Sequence, residues 1–356
     1  MRQRTWMAFL LVTLILVSCG PRPTPTPLPE ELVFYDWPLD VPQEVLDAFT
    51  AEYGVKIRYE TYDSTEEALA NLEAGKVYDV VVMDSRYIPR LREKHLLAPF
   101  NQANLTNLDN ISVDFRNPAF DPGNRYTIPF NWGTVGVLVR DDQVKAPVKR
   151  WADLWDLAYA GKVGLWREGD AREVIGLTLL SLGYSCNTVN PQHLDKALKR
   201  LLELRPKVFF LEDCPKCVET GSPIPALVNS DVVVALGYAA SAVEARDARV
   251  PISYVLPEDG TIIWNDNFII PANSPSQYFA ELFLNYILRP ETAAAIANFN
   301  YYATPNVAAL KFLNPELRND PVIFPVNLNK AEQLLPLTEE ADALYMSIWE
   351  QFVAGQ

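Results

Sequence analysis

The amino-acid sequence predicts an α/β protein of two lobes. Three observations carry that reading. From Leu32 the chain alternates short apolar runs with amphipathic stretches in the order β-α-β-α-β, which calls for a mainly parallel sheet with helices on it. A second set of strands and helices follows after Lys162. The chain has 356 residues, 49% of them hydrophobic, which is enough for more than one core and favours two domains over one.

The elements follow from periodicity. Residues 32–35 are a continuous apolar run and read as a buried strand. In 42–53, Val45, Leu46, Phe49 and Tyr53 recur at helical spacing. Residues 55–62 alternate as a strand does, 65–74 are helical and 79–83 are an apolar strand. A further strand is expected at 135–139. The second set comprises strands at 162–165, 208–211, 232–236 and 252–256, a long strand at 262–270, and helices at 171–182 and 192–204. The 279–288 stretch is a strong helix, and Pro290 stops it or opens the next. The sequence shows no short internal repeat, and after Cys19 no apolar segment is long enough to cross a membrane.

Charge narrows the function. Lys and Arg number 31 against 45 Asp and Glu, a formal net charge of −14. Such a surface repels nucleic acid and anionic lipid and attracts cations, so no nucleic-acid partner is expected. With only two His, His95 and His193, His-based catalysis or a multi-His metal site has almost nothing to build on. There is no Gly-x-Ser-x-Gly elbow, phosphate loop or nucleophile–base set. The expectation is a binding protein without cofactor or metal rather than an enzyme.

The N-terminus reads as an export signal. A short basic start with Arg2 and Arg4 precedes an apolar run, 6–17, that is too short to span a bilayer. It ends in Leu16-Val17-Ser18-Cys19, which resembles a bacterial lipobox. That resemblance implies a signal peptide over 1–18 and lipidation of Cys19 after cleavage. In the segment 19–31, alternating prolines from Pro21 to Pro29 favour polyproline II and cannot pack a core, so it reads as a stiff tether. The body is then extracytoplasmic, in the periplasm or at the cell surface, and touches the membrane through its lipid alone. Export also permits disulfides.

Five landmarks occur in order: Phe34-Tyr35-Asp36-Trp37, Trp151-Ala152-Asp153-Leu154-Trp155, Asp170-Ala171-Arg172-Glu173, Ile263-Trp264-Asn265-Asp266 and Ala303-Thr304-Pro305-Asn306. Together they resemble the solute-binding proteins of polyamine (spermidine/putrescine) ABC transporters, over roughly residues 32–355. The resemblance implies a periplasmic-binding-protein-like fold of type II, with the ligand cleft between two lobes joined by crossing strands. It places one lobe at 32–136 plus 267–307 and the other at 137–266 plus 308–356, with crossings near 133–139 and 266–270. Its partners would be a polyamine and the membrane subunits of an ABC permease. A monomer is expected.

A polyamine needs carboxylates spaced along its chain and aromatic faces between them. Asp170 and Glu173, spaced i, i+3 at a helix start, can share one face. Locally they read equally as an N-cap and its N3 partner; the resemblance implies that they grip one amino end of the ligand. Trp264 and Asp266, spaced i, i+2 in a strand, point to one face. The resemblance gives this pair a stacking and an amine-binding role, and makes Trp37, Tyr238 and Tyr302 aromatic walls of the cleft. Locally, Trp37 and Trp264 also fit a core.

Departures from the family pattern follow Trp37 and the third strand. Pro38-Leu39-Asp40 stands where the family has a hydroxyl residue, an acid and a Tyr, so Asp40 reaches the cleft only from a turn. In Met83-Asp84-Ser85-Arg86-Tyr87, Asp84 supplies a carboxylate, whereas a guanidinium at Arg86 repels a polycation. Arg86 pairs with Asp84 or Asp40, or points to solvent. If it instead faces the ligand, an amine that also bears a carboxylate, such as an amino acid, becomes the alternative. The adjacent Tyr301 and Tyr302 raise ferric iron as another. Cys214-Pro215-Lys216-Cys217 lacks the further ligands that zinc requires and reads as part of a structural disulfide. Pairings 186–214, 186–217 and 214–217 all remain open.

Overall fold

The structure, a computed structural model, describes residues 27–156, 159, 161–169, 171–247 and 249–355. The signal peptide, Cys19, the tether up to residue 26, and Asp170 lie outside the described residues.

In chain order the strands are β1 (Glu31–Asp36), β2 (Lys56–Thr61), β3 (Val80–Asp84), β4 (Ile128–Arg140), β5 (Val163–Leu165), β6 (Val208–Phe210), β7 (Val234–Tyr238), β8 (Ile252–Val255), β9 (Thr261–Ile269) and β10 (Ala331–Gln333). Among the described residues they form one sheet in the order β2-β1-β3-β9-β4-β7-β5-β6, with β10 also on β9 and β8 also on β4. The outer strands are parallel within each half: β1 with β2 and β3, and β5 with β6 and β7. The two long central strands run antiparallel to each other and to their neighbours β3 and β7.

β4 and β9 tie the halves together. One end of β9, from Asp266 to Ile269, pairs with β3. The far end of β4, from Val135 to Val139, pairs with β7. Between them the two strands pair with each other from Ile128↔Phe268 to Val135↔Ile262. Periodicity suggested a strand only at 135–139, because Pro129 and Gly133 break the earlier part of the pattern. Pro129 is accommodated where the register shifts between Pro129 and Asn131, a site at which a missing donor is tolerated.

Each half of the sheet is apolar on both faces, as parallel strands under helices must be. In β1, Leu32 and Phe34 join a core with Phe49, Phe268 and Phe283, while Val33 and Tyr35 join another with Tyr62, Met83 and Leu91. Beyond β4, Trp151, Leu165, Val174, Tyr345 and Phe352 fill one core and Leu138, Leu211, Leu227 and Ile252 the other. The C-terminal helix Glu339–Ala354 belongs to this second half, where the Tyr345 hydroxyl donates to the carbonyl oxygens of Cys186 (3.1 Å) and Thr188 (2.9 Å).

The helices follow the apolar periodicity closely. Gln43–Tyr53, Thr65–Glu73, Ala171–Ser181, Pro191–Leu204 and Gln277–Ile287 lie where they were expected, and Pro290 opens the next helix, Pro290–Asn300. Of the open cysteine pairings the structure selects Cys214–Cys217, and Cys186 is a buried free thiol. Among the described residues no helix is long and apolar enough to cross a membrane.

Candidate functional site

Strand pairing builds a row of polar residues across the centre of the sheet. Asp84 on β3 is the Cα partner of Asp266 on β9, and Asp266 is the partner of Asn131 on β4. Partners in antiparallel strands point to the same face, so the three side chains stand in line. Asn131 extends the row by donating from Nδ2 to both carboxylate oxygens of Asp40, at 3.0 and 3.1 Å. Asn300, near the end of its helix, donates to Asp40 Oδ1 at 2.7 Å. Asp40 reaches this position through a turn in which Leu39 takes a φ of 60°; Leu39 is left 76% exposed and Asp40 is buried.

Aromatic rings border the row. Trp264 shares the face of Asp266, two residues away. Its ring meets Tyr302 edge-on at 4.9 Å and Tyr238 at 6.0 Å. The residue opposite Trp264 on β4 is Gly133, where an added Cβ would lie 2.6 Å from the indole ring. Glycine is therefore what gives this ring its room. Trp37 rests against Tyr62 at 4.6 Å, and its side chain favours the ionised form of Asp266.

Glu173 and Arg86 close the row from the other side. Glu173 is in the first turn of the helix Ala171–Ser181 and is buried. The Arg86 guanidinium lies 3.5 Å from Glu173, 3.6 Å from Glu66 and 3.7 Å from Asp84. Asp84 also accepts the backbone N–H of Arg86 at 2.7 Å. Of the partners expected for Arg86, the structure thus brings Asp84; Asp40 is taken by the two asparagines. Glu66 and Glu173 come from elements whose approach no local pattern reveals. Ser85 accepts a hydrogen bond from Gln333 on β10 at 2.7 Å.

Burial dominates the electrostatics. It holds the Asp266 carboxyl well above the usual carboxylate range, with the charges of Asp84 and Asp40 adding to the shift. Asp36 is likewise held high by burial and then by Asp40; it accepts the Trp37 backbone N–H at 2.7 Å. Burial pushes Asp40 up to about 7, against the opposing hydrogen bonds from Asn300 and Asn131. Asp84 and Glu173 are raised by burial too, with Arg86 pulling both down. An arrangement of this kind gains free energy from an added cation.

The structure therefore gathers Trp37, Asp40, Asp84, Glu173, Tyr238, Trp264, Asp266 and Tyr302 about one row, while Asp170 and Cys19 lie outside the described residues. Sequence reasoning missed Asp36, Asn131, Asn300 and Gly133. Asn131 carried a faint signal, a polar residue between Phe130 and Trp132. Among the described residues no three His, Cys, Asp or Glu side chains are grouped to hold a metal ion.

Asn300→Ala removes the shortest donor to Asp40 and is expected to destabilise the fold by about 1–3 kcal/mol. A carboxyl whose folded value is raised loses its stabilising contribution as pH climbs from about 4 through that value. Asn300 favours the ionised form, so the loss is expected to be larger at pH 8 than at pH 5. Urea unfolding of both proteins at the two pH values checks this, and equal losses would contradict it.

Comparison with known proteins places this geometry in a family. Residues 44–325 match the family described as bacterial extracellular solute-binding protein. The spermidine/putrescine-binding periplasmic protein of Escherichia coli is 37% identical over 297 residues, 83% of each chain. That of Salmonella typhimurium is 34% identical over 332 residues, 92% of each chain. Among solved structures, the spermidine/putrescine ABC transporter substrate-binding protein PotD of Streptococcus pneumoniae superposes with a TM-score of 0.79 at 29% identity, covering 92% of this chain and 99% of that one. The chain belongs to the bacterial extracellular solute-binding proteins and has their two-lobed α/β fold.

Proposed function

We propose that this protein binds a polyamine in the cleft between its lobes and delivers it to the membrane subunits of an ABC importer. The observation that carries the reading is the row of carboxyls, half-buried Asp84 with buried Asp266 and Asp40, held above their ordinary range and bordered by Trp37, Trp264 and Tyr302. A polyamine supplies what that row lacks. Its ammonium groups offer charge-assisted hydrogen bonds, and its methylenes and charges suit aromatic faces. The names of the relatives support the same ligand class. No bond is made or broken, so the reading is of a binding protein and not an enzyme.

In this reading Asp266 binds an amine beside Trp264, Glu173 and Asp170 hold one end of the ligand, and Asp84 and Asp40 supply further negative charge. Trp37, Tyr238 and Tyr302 wall the cleft. One lobe comprises 32–136 with 267–307, and the other 137–266 with 308–356. A ligand that touches both lobes only when they are closed shifts the population towards that state, which the permease then meets. The protein acts as a monomer, extracytoplasmic and held to the membrane by a lipid on Cys19, with the Pro-rich segment as spacer.

Calorimetric titration of the mature chain with putrescine, spermidine and a panel of amino acids tests the ligand class. Asp170→Asn, Glu173→Gln and Asp266→Asn are each expected to weaken polyamine binding by about 1.5–3 kcal/mol. Full affinity in all three folded variants would remove the site from the cleft. Cys19→Ser is expected to abolish labelling by a fatty-acid analogue and to release the protein from the membrane fraction or leave it unprocessed. Continued labelling would place the lipid elsewhere.

A further inference from the structure

Arg86 is a cation that the chain supplies to its own acidic cleft. Its side chain is 8% exposed, as is that of Glu173. The approaches to Glu173, Glu66 and Asp84, 3.5–3.7 Å, are within ion-pair range but too long for good charge-assisted hydrogen bonds. Among the described residues, Nε and Nη1 of Arg86 and Oε2 of Glu173 are buried without a hydrogen-bond partner. The guanidinium thus compensates charge while leaving strong donors and an acceptor unused. It also spans the molecule. Arg86 follows β3, whose Val81 and Met83 lie in a core of the first half, while Glu173 is on the helix whose Val174 and Ile175 lie in a core of the second.

We propose that Arg86 occupies the place of one ligand ammonium, at Asp84, and so restricts the site to short polyamines with two charges, one at Asp266 and one at the Glu173 oxygen that Arg86 leaves open. This rests on the polyamine reading above. A guanidinium does not deprotonate to make way for another cation, and a further ammonium at Asp84 would stand beside it and be repelled. The carboxyl left facing the aromatic rings is Asp266, two residues from Trp264 on the same strand face. Asp40 behind it is held by Asn131 and Asn300. The field of Asp84 is already spent on Arg86.

The test compares the dissociation constants of a diamine, putrescine, and a triamine, spermidine, in calorimetric titrations of the mature chain and of Arg86→Gln and Arg86→Lys. The wild type is expected to favour the diamine. Arg86→Gln, which keeps much of the side chain without its charge, is expected to shift the ratio towards the triamine by about tenfold or more. Arg86→Lys, which restores the charge, is expected to keep the wild-type preference, and folding of each variant is checked by its urea midpoint. A wild type that prefers the triamine, or an unchanged ratio in folded Arg86→Gln, overturns the inference while leaving polyamine binding intact. If the wild type binds neither amine, the functional reading itself fails. If it instead binds a zwitterionic amino acid and loses it in Arg86→Gln, Arg86 is a carboxylate anchor and both fall.

Discussion

Asp84 and Asp266 face each other across adjacent antiparallel strands, and burial raises the carboxyl of each. Like charges directly opposite in a sheet repel, and burial strengthens the repulsion by removing the water that would screen it. Most of the surrounding architecture answers that constraint. Arg86 lies between Asp84 and Glu173, the Trp37 side chain favours the ionised form of Asp266, and Asn131 and Asn300 donate to Asp40 at the far end of the row. Each of these groups lowers the free energy of the negative charges without removing them. The site stays acidic and incompletely satisfied, as a receptor for a cation must be.

The crossing strands hold this charge where two separate cores meet. β9 carries both Asp266 and Trp264, and β4 carries both Asn131 and the Gly133 that makes room for the Trp264 ring. The proposed binding determinants therefore lie on the elements shared by the two halves, while Glu173 and Tyr238 come from the second half alone. A ligand that engages both sets has a larger free energy of binding when the halves approach, which is all that closure requires.

Much of this was legible before any coordinates. Apolar periodicity located five of the helices and most strands, because each buries one face or two, but it missed the C-terminal helix Glu339–Ala354. The Trp264–Asp266 pair followed from strand spacing, and Asp84 stood with Asp40 and solvent among the places open to Arg86. What could not be read depends on register between distant segments. Nothing local says that Asp84 lands opposite Asp266, or that Asn131 and Asn300 converge on Asp40. Neutral amides carry no charge signature, and Gly133 and Pro129 hid the first half of β4. Asp40 seemed displaced only because a left-handed Leu39 reverses the direction of its side chain.

In the proposed function, ligand binding completes an array of buried carboxyls whose proton affinities are raised, Asp40 to about 7 and Asp266 and Asp36 well above their ordinary range. A bound cation favours the ionised forms and so expels protons. Calorimetric titration with a polyamine at about pH 6.5, in buffers of different ionisation enthalpy, measures that proton flux directly. The account predicts net proton release on binding, diminishing as the pH is raised above 8. Binding with no proton exchange, or with proton uptake, would contradict it.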